Sequence, residues 1–131
     1  MKKQTLIVGI MIAIGLVAGV SRLPIAFAQD NKQAEVTLKG EIVDMHCYIT
    51  RGDKGPGHAG CAKACITRSV TPGFLAADGK LYVLLDEKPF SVKDKVADLA
   101  GQQSSLTGVI VERDGVRAII LKHIEAATQG Q

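Results

Sequence analysis

The chain of 131 residues has no tryptophan, two tyrosines and three phenylalanines. So few rings leave little from which to build a stacking platform for nucleic-acid bases. A dominant charge sign is also lacking, with 16 Lys+Arg against 13 Asp+Glu. The length excludes a large multidomain enzyme and most cofactor folds made of repeated βαβ units. With 47% hydrophobic and 22% charged residues, long disorder is excluded as well. Cysteine is limited to an odd three. They form no Cys-x-x-Cys-His sequence, which argues against covalent haem. The carboxylates show no pair at a spacing that suggests acid–base catalysis, and the sequence leans away from an enzyme without settling it.

What is present begins with an export-like segment. Lys2 and Lys3 precede an apolar run from Leu6 to Val20, and Ala26-Phe27-Ala28 has the small-x-small form of a cleavage site. The run is short for a transmembrane helix. The sequence therefore predicts a signal peptide over 1–28, cleaved near Ala28, and a periplasmic or secreted protein. An uncleaved membrane anchor is the alternative, with Arg22 in its favour. Without Lys2, Lys3 and Arg22, 13 Lys+Arg face 13 Asp+Glu, so the basic excess belongs wholly to that segment. A neutral chain has no electrostatic footprint for nucleic acid. Outside the cytoplasm, unprotected thiols tend to oxidise.

Residues 29–34 read as a flexible lead-in, 35–126 as the domain and 127–131 as a tail. Glu35 to Ile49 alternates like a strand. Its apolar phase changes near Gly40, which suggests a bulge or bend. Arg51 to Gly60 is a glycine-rich loop, and a short helix is expected over His58 to Arg68. The Ala77–Lys80 and Asp114-Gly115 turns predict hairpins. They flank a helix that starts at Ser91, its N-cap, and stops at Gly101. Ile119-Ile120-Leu121 suggests a strand buried on both faces. The predicted class is mainly β. The predicted fold is a small OB-like five-stranded barrel, with one helix between strands 3 and 4. A short Cys/His-bearing helix lies in the strand 1–2 connection. An open α+β sandwich of the same strands is the alternative.

The chemistry concentrates between residues 46 and 65. All three cysteines and two of the three histidines lie there, as His46-Cys47 and His58-x-x-Cys61-x-x-x-Cys65. On a helix at about 100° per residue, His58, Cys61 and Cys65 share one narrow face. With Cys47 they make a Cys₃His set suited to a tetrahedral metal. His46 is the reserve ligand, and Met45 is a core residue that could also meet copper. Zn²⁺ is the first expected ion and Cu⁺ the alternative. A plain alternative is one disulfide, from Cys47 to Cys61 or Cys65, plus a spare thiol. A bond between Cys61 and Cys65 within one helical turn is geometrically poor. Another alternative is a thiol–disulfide protein with Cys61 as nucleophile and Cys47 or Cys65 as resolving thiol. A further one is an OB-like binding module stapled by the metal or disulfide. The metal ion is the one partner the sequence implies. Nucleic acid is not expected, and a membrane enters only during export or through an uncleaved N-terminal segment. Gly55-x-Gly57-x-x-Gly60 has the dinucleotide-binding spacing but lacks the surrounding βαβ unit. Asp44, Asp86 and Asp98 read as turn, cap or solvated residues, and His123 as a partly exposed strand residue.

These features resemble a group of small exported bacterial proteins of unknown function. The resemblance rests on Gly40-Glu41-Ile42-Val43-Asp44, Cys47, the Gly52 to Gly57 loop, His58-x-x-Cys61-x-x-x-Cys65, Pro72-Gly73, the Tyr82 strand and the closing hairpin. Lys80 to Ile124 resembles bacterial OB-fold modules more generally. The resemblance implies an OB-like fold with a metal-compatible site, and no activity.

Overall fold

Strand β1 (Glu35–Asp44) carries the expected alternation only as far as Gly40 in the computed structural model, which describes residues 34–89 and 91–127. The expected signal peptide over 1–28 and its cleavage point lie outside the described residues. So do most of the 29–34 lead-in and of the 127–131 tail. From Gly40 onward β1 is buried on both faces. The phase change thus reflects burial on two sides rather than a bulge. At Gly40 the strand passes between partners, pairing with β4 up to Glu41 and with β2 (Pro72–Ala76) from Gly40 on. A side chain there is impossible without movement, because its Cβ would lie 2.3 Å from the Leu75 carbonyl oxygen.

The expected strand to Ile49 is corrected. The chain leaves extended geometry at Asp44 and forms helix α1 (Met45–Arg51). Asp44 is in extended conformation and its side chain accepts the Cys47 N–H, which is what an N-cap does. Gly52, in the left-handed region, ends the helix. A short 3-10 turn (Pro56–His58) leads into α2 (Ala59–Thr67). The strand 1–2 connection therefore holds two helices, not one. Met45 packs its sulfur against Gly73.

Strands β2 and β3 (Leu81–Leu85) form the first hairpin. Helix α3 (Val92–Val96) and a 3-10 turn (Ala97–Leu99) follow. Ser91 precedes α3 but makes no capping bond; its hydroxyl donates to Asp86 and to the Lys88 carbonyl instead. Strands β4 (Gln103–Arg113) and β5 (Val116–Ala126) form the second hairpin, with a register shift at Thr107/Gly108.

The five strands make one mixed sheet that closes in a ring, in the order β1-β2-β3-β5-β4. The β3–β5 pairing is parallel and the others antiparallel. Ile42, Phe74, Leu84, Leu106 and Ile119 fill the core, each at most 1% exposed. Ile66 of α2 and Val96 of α3 join this cluster. Ile119 and Leu121 are buried while Ile120 is half-buried, so that segment is covered less fully on its second face. No helix among the described residues is long and apolar enough to cross a membrane.

Candidate metal centre

The centre is assembled where β1 ends. Asp44 has no exposed surface, and its Oδ1 accepts the Cys47 N–H at 2.8 Å. That bond starts α1 and sets Cys47 in its first turn, buried. Helix α2 supplies the other thiols. Cys61 and Cys65 are four residues apart and so share a face. Ala62 and Ile66, one residue further on in each case, are buried and anchor the helix. The sulfur atoms of Cys47, Cys61 and Cys65 lie within 4.8 Å of one another, with no disulfide between them. Their exposure is graded: Cys47 is buried, Cys65 intermediate and Cys61 exposed.

The start of α2 is held by a close approach. Gly101 donates its N–H to the Ile42 carbonyl at 2.8 Å. Its φ is +70°, and a Cβ there would lie 2.6 Å from the Gly55 carbonyl oxygen and 2.8 Å from Ala59 Cβ. The absence of a side chain at Gly101 lets the cysteine-bearing connection rest against the segment leading into β4.

His58 precedes α2 and stands in a second group, with Asp44 and Cys47, whose ligand atoms are also within 4.8 Å of one another. Its Nε2 is 3.1 Å from Asp44 Oδ2, and its side chain is 16% exposed. Cys47 thus belongs to both groups. Among the described residues no fourth His, Cys, Asp or Glu joins the three thiols within that distance. Of the four expected ligands, the structure gathers the cysteines and sets His58 on the Cys47 side. His46 is exposed on α1, in neither group. His123 is exposed on β5, 3.8 Å from Glu125.

Electrostatics favour the protonated form at Cys47 and Cys65. A hydrogen bond to Asp44, together with burial, pushes the Cys47 thiol up to about 11, against the opposing pull of Arg51. Burial and the neighbouring Cys61 raise Cys65. Burial works against the Asp44 carboxylate, but hydrogen bonds from Cys47 and His58 outweigh it and hold the group below its ordinary value. A metal ion binding to the thiols must therefore displace protons. In return it would offset the negative charge gathered around Cys47. Asp44 is the residue that sequence reasoning undervalued. It is a cap, as expected, but a buried one that touches both Cys47 and His58. Its signal was an N-cap residue three places before a cysteine, with a helix-ending glycine at Gly52.

Three comparisons, with family models, curated proteins and solved structures, found no match to the chain.

Proposed function

We propose that this is a small exported metal-handling protein that binds a soft transition-metal ion through Cys47, Cys61 and Cys65. The observation that carries this reading is the meeting of three sulfur atoms within 4.8 Å, one of them exposed. Soft thiolates suit Cu⁺ and Zn²⁺. Zn²⁺ sites are almost always four-coordinate. His58, grouped with Cys47, is a candidate fourth donor, and it would ligate with Asp44 as the carboxylate that orients it. Cu⁺ is satisfied by three thiolates, so the arrangement supports Cu⁺ ahead of the Zn²⁺ that the ligand count alone favours. Exposed Cys61 gives an incoming ligand a sulfur to reach, which supports handling over a purely structural role. The ring order and the helical segment between β3 and β4 support an OB-like scaffold. The segment over 1–28 supports export. An N-terminus at Gln29 by mass spectrometry is expected, and an intact chain from Met1 would refute cleavage.

The direct test is element analysis with thiol counting on protein purified anaerobically. About one equivalent of copper or zinc is expected, and Cys61→Ser should lower it at least tenfold in affinity. Metal-free protein with one disulfide and one free thiol would overturn the reading. A reversible disulfide formed by Cys61 would favour the thiol–disulfide alternative, which the proximity of the three sulfurs also supports.

A further inference from the structure

Beyond the thiols, Glu41 poses a separate question. It lies on β1 opposite Leu75 of β2 and Gln103 of β4. Directly paired residues project to the same face, and Glu41 alternates with core residue Ile42. Glu41 therefore sits on the outer face of the ring. An outer-face glutamate is normally solvated, yet this one is 6% exposed. The α1–α2 connection roofs it, leaving a cavity of about 470 Å³ lined by Glu41, Tyr48, Lys54, Leu75 and Gln103, among others. Among the described residues, nothing hydrogen-bonds to Glu41 Oε1, which is also cut off from solvent. One carboxylate oxygen shielded and unpartnered is destabilising, and a cationic group entering the cavity beside Glu41 would offset that cost.

We propose that this cavity binds a small zwitterion of the amino-acid class. The ammonium group meets Glu41, and the carboxylate turns towards Lys54. Lys54 is exposed and makes no ion pair among the described residues, so it is free to receive an anionic end. Leu75 supplies apolar surface for an aliphatic side chain. The volume falls within the range of about 300–1,000 Å³ common for small-molecule sites. A hard divalent cation fits poorly, because it needs six or more oxygen ligands.

The test is an NMR titration of the ¹⁵N-labelled chain with three matched probes. L-leucine has both charged groups, isoamylamine only the ammonium and isocaproate only the carboxylate. L-leucine should give saturable shifts at Glu41, Tyr48 and Gln103, with isoamylamine weaker and isocaproate weakest. Glu41→Gln should weaken L-leucine about tenfold, the usual order for losing one charge-assisted contact. Lys54→Met, at an exposed position, should weaken it several-fold and leave isoamylamine unchanged; should Glu41→Gln fail to fold, this variant decides. No saturable shift, equal affinity in Glu41→Gln, or tighter binding in Lys54→Met would overturn the proposal. So would saturation of the same amides by Ca²⁺. The readout is independent of metal content, so the fate of the thiol reading does not decide it.

Discussion

Asp44 sits at the last position of β1 with no solvent exposure, and its two oxygens serve different partners. Oδ1 caps α1 through the Cys47 N–H, and Oδ2 holds His58. Asp44→Ala removes the cap, which leaves the buried Cys47 N–H unpaired at about 1–3 kcal/mol, and takes away the partner of His58, worth about 1 kcal/mol more. A loss of about 2–4 kcal/mol is expected in urea unfolding, and Asp44→Asn should cost less because its amide oxygen still accepts from Cys47. A cost under about 0.5 kcal/mol for the alanine variant would contradict this account. At this scale the cysteines were legible in the sequence because they are few and lie close together. Asp44 was not, since its importance comes from burial, and nothing in its type reports that. His58 was legible as a member of the cluster, but its turn towards Asp44 depends on a 3-10 segment that spacing does not reveal.

Among the elements, α1 was the one misread. Val43, Met45 and Ile49 keep an odd-numbered apolar spacing across the boundary at Asp44, which imitates a continuing strand. The cap at Asp44 and the stop at Gly52 were the competing signals, and local hydrogen bonding decided in their favour. The hairpins were legible because their turns are encoded by adjacent residues. The seating of α2 was not, since it depends on Gly101, far along the chain. Gly101→Ala is expected to destabilise by about 1–3 kcal/mol, through a disfavoured φ and a clash with Gly55. It should also weaken metal binding, because the connection that carries Cys61 and Cys65 is displaced. Gly57→Ala is the control. Nothing lies within 4 Å of its added Cβ and its φ is not positive, so the change should stay within about 0.5 kcal/mol. Chemical denaturation and metal competition on both variants check the pair.

For the molecule as a whole, the thiols are carried by α1 and α2 rather than by the strands, and none of them belongs to the core cluster. Chelation is therefore expected to leave the far-UV circular dichroism of the sheet intact, unlike a zinc finger, which unfolds without its ion. Acid is a different matter. Lys95 at 2.6 Å and the Ser91 hydroxyl hold the Asp86 carboxyl down to about 2, tying the end of β3 to α3. The folded value is depressed, so this stabilisation is present above the ordinary carboxylate range and is lost as pH falls through about 2. Asp44, also lowered, adds in the same direction. Urea midpoints should decline below about pH 4, and Asp86→Asn should make the decline shallower. An equal slope in that variant would remove Asp86 from the explanation. The five-strand order was readable from strands and turns. The ring's closure was inferred from connectivity alone, because the β1–β4 register depends on residues that no local pattern links.

That closing seam has a kinetic side. Thr37 of β1 and Thr107 of β4 share a hydrogen bond across 70 positions of chain. Contacts so distant in sequence come late and slow a domain's folding. Cys47, Cys61 and Cys65 all precede β4, so a chain made or threaded from its N-terminus displays its reactive sulfurs before the ring can shut. The interval between those two events sets how long Cys47, buried once folding is complete, stands open to oxidants.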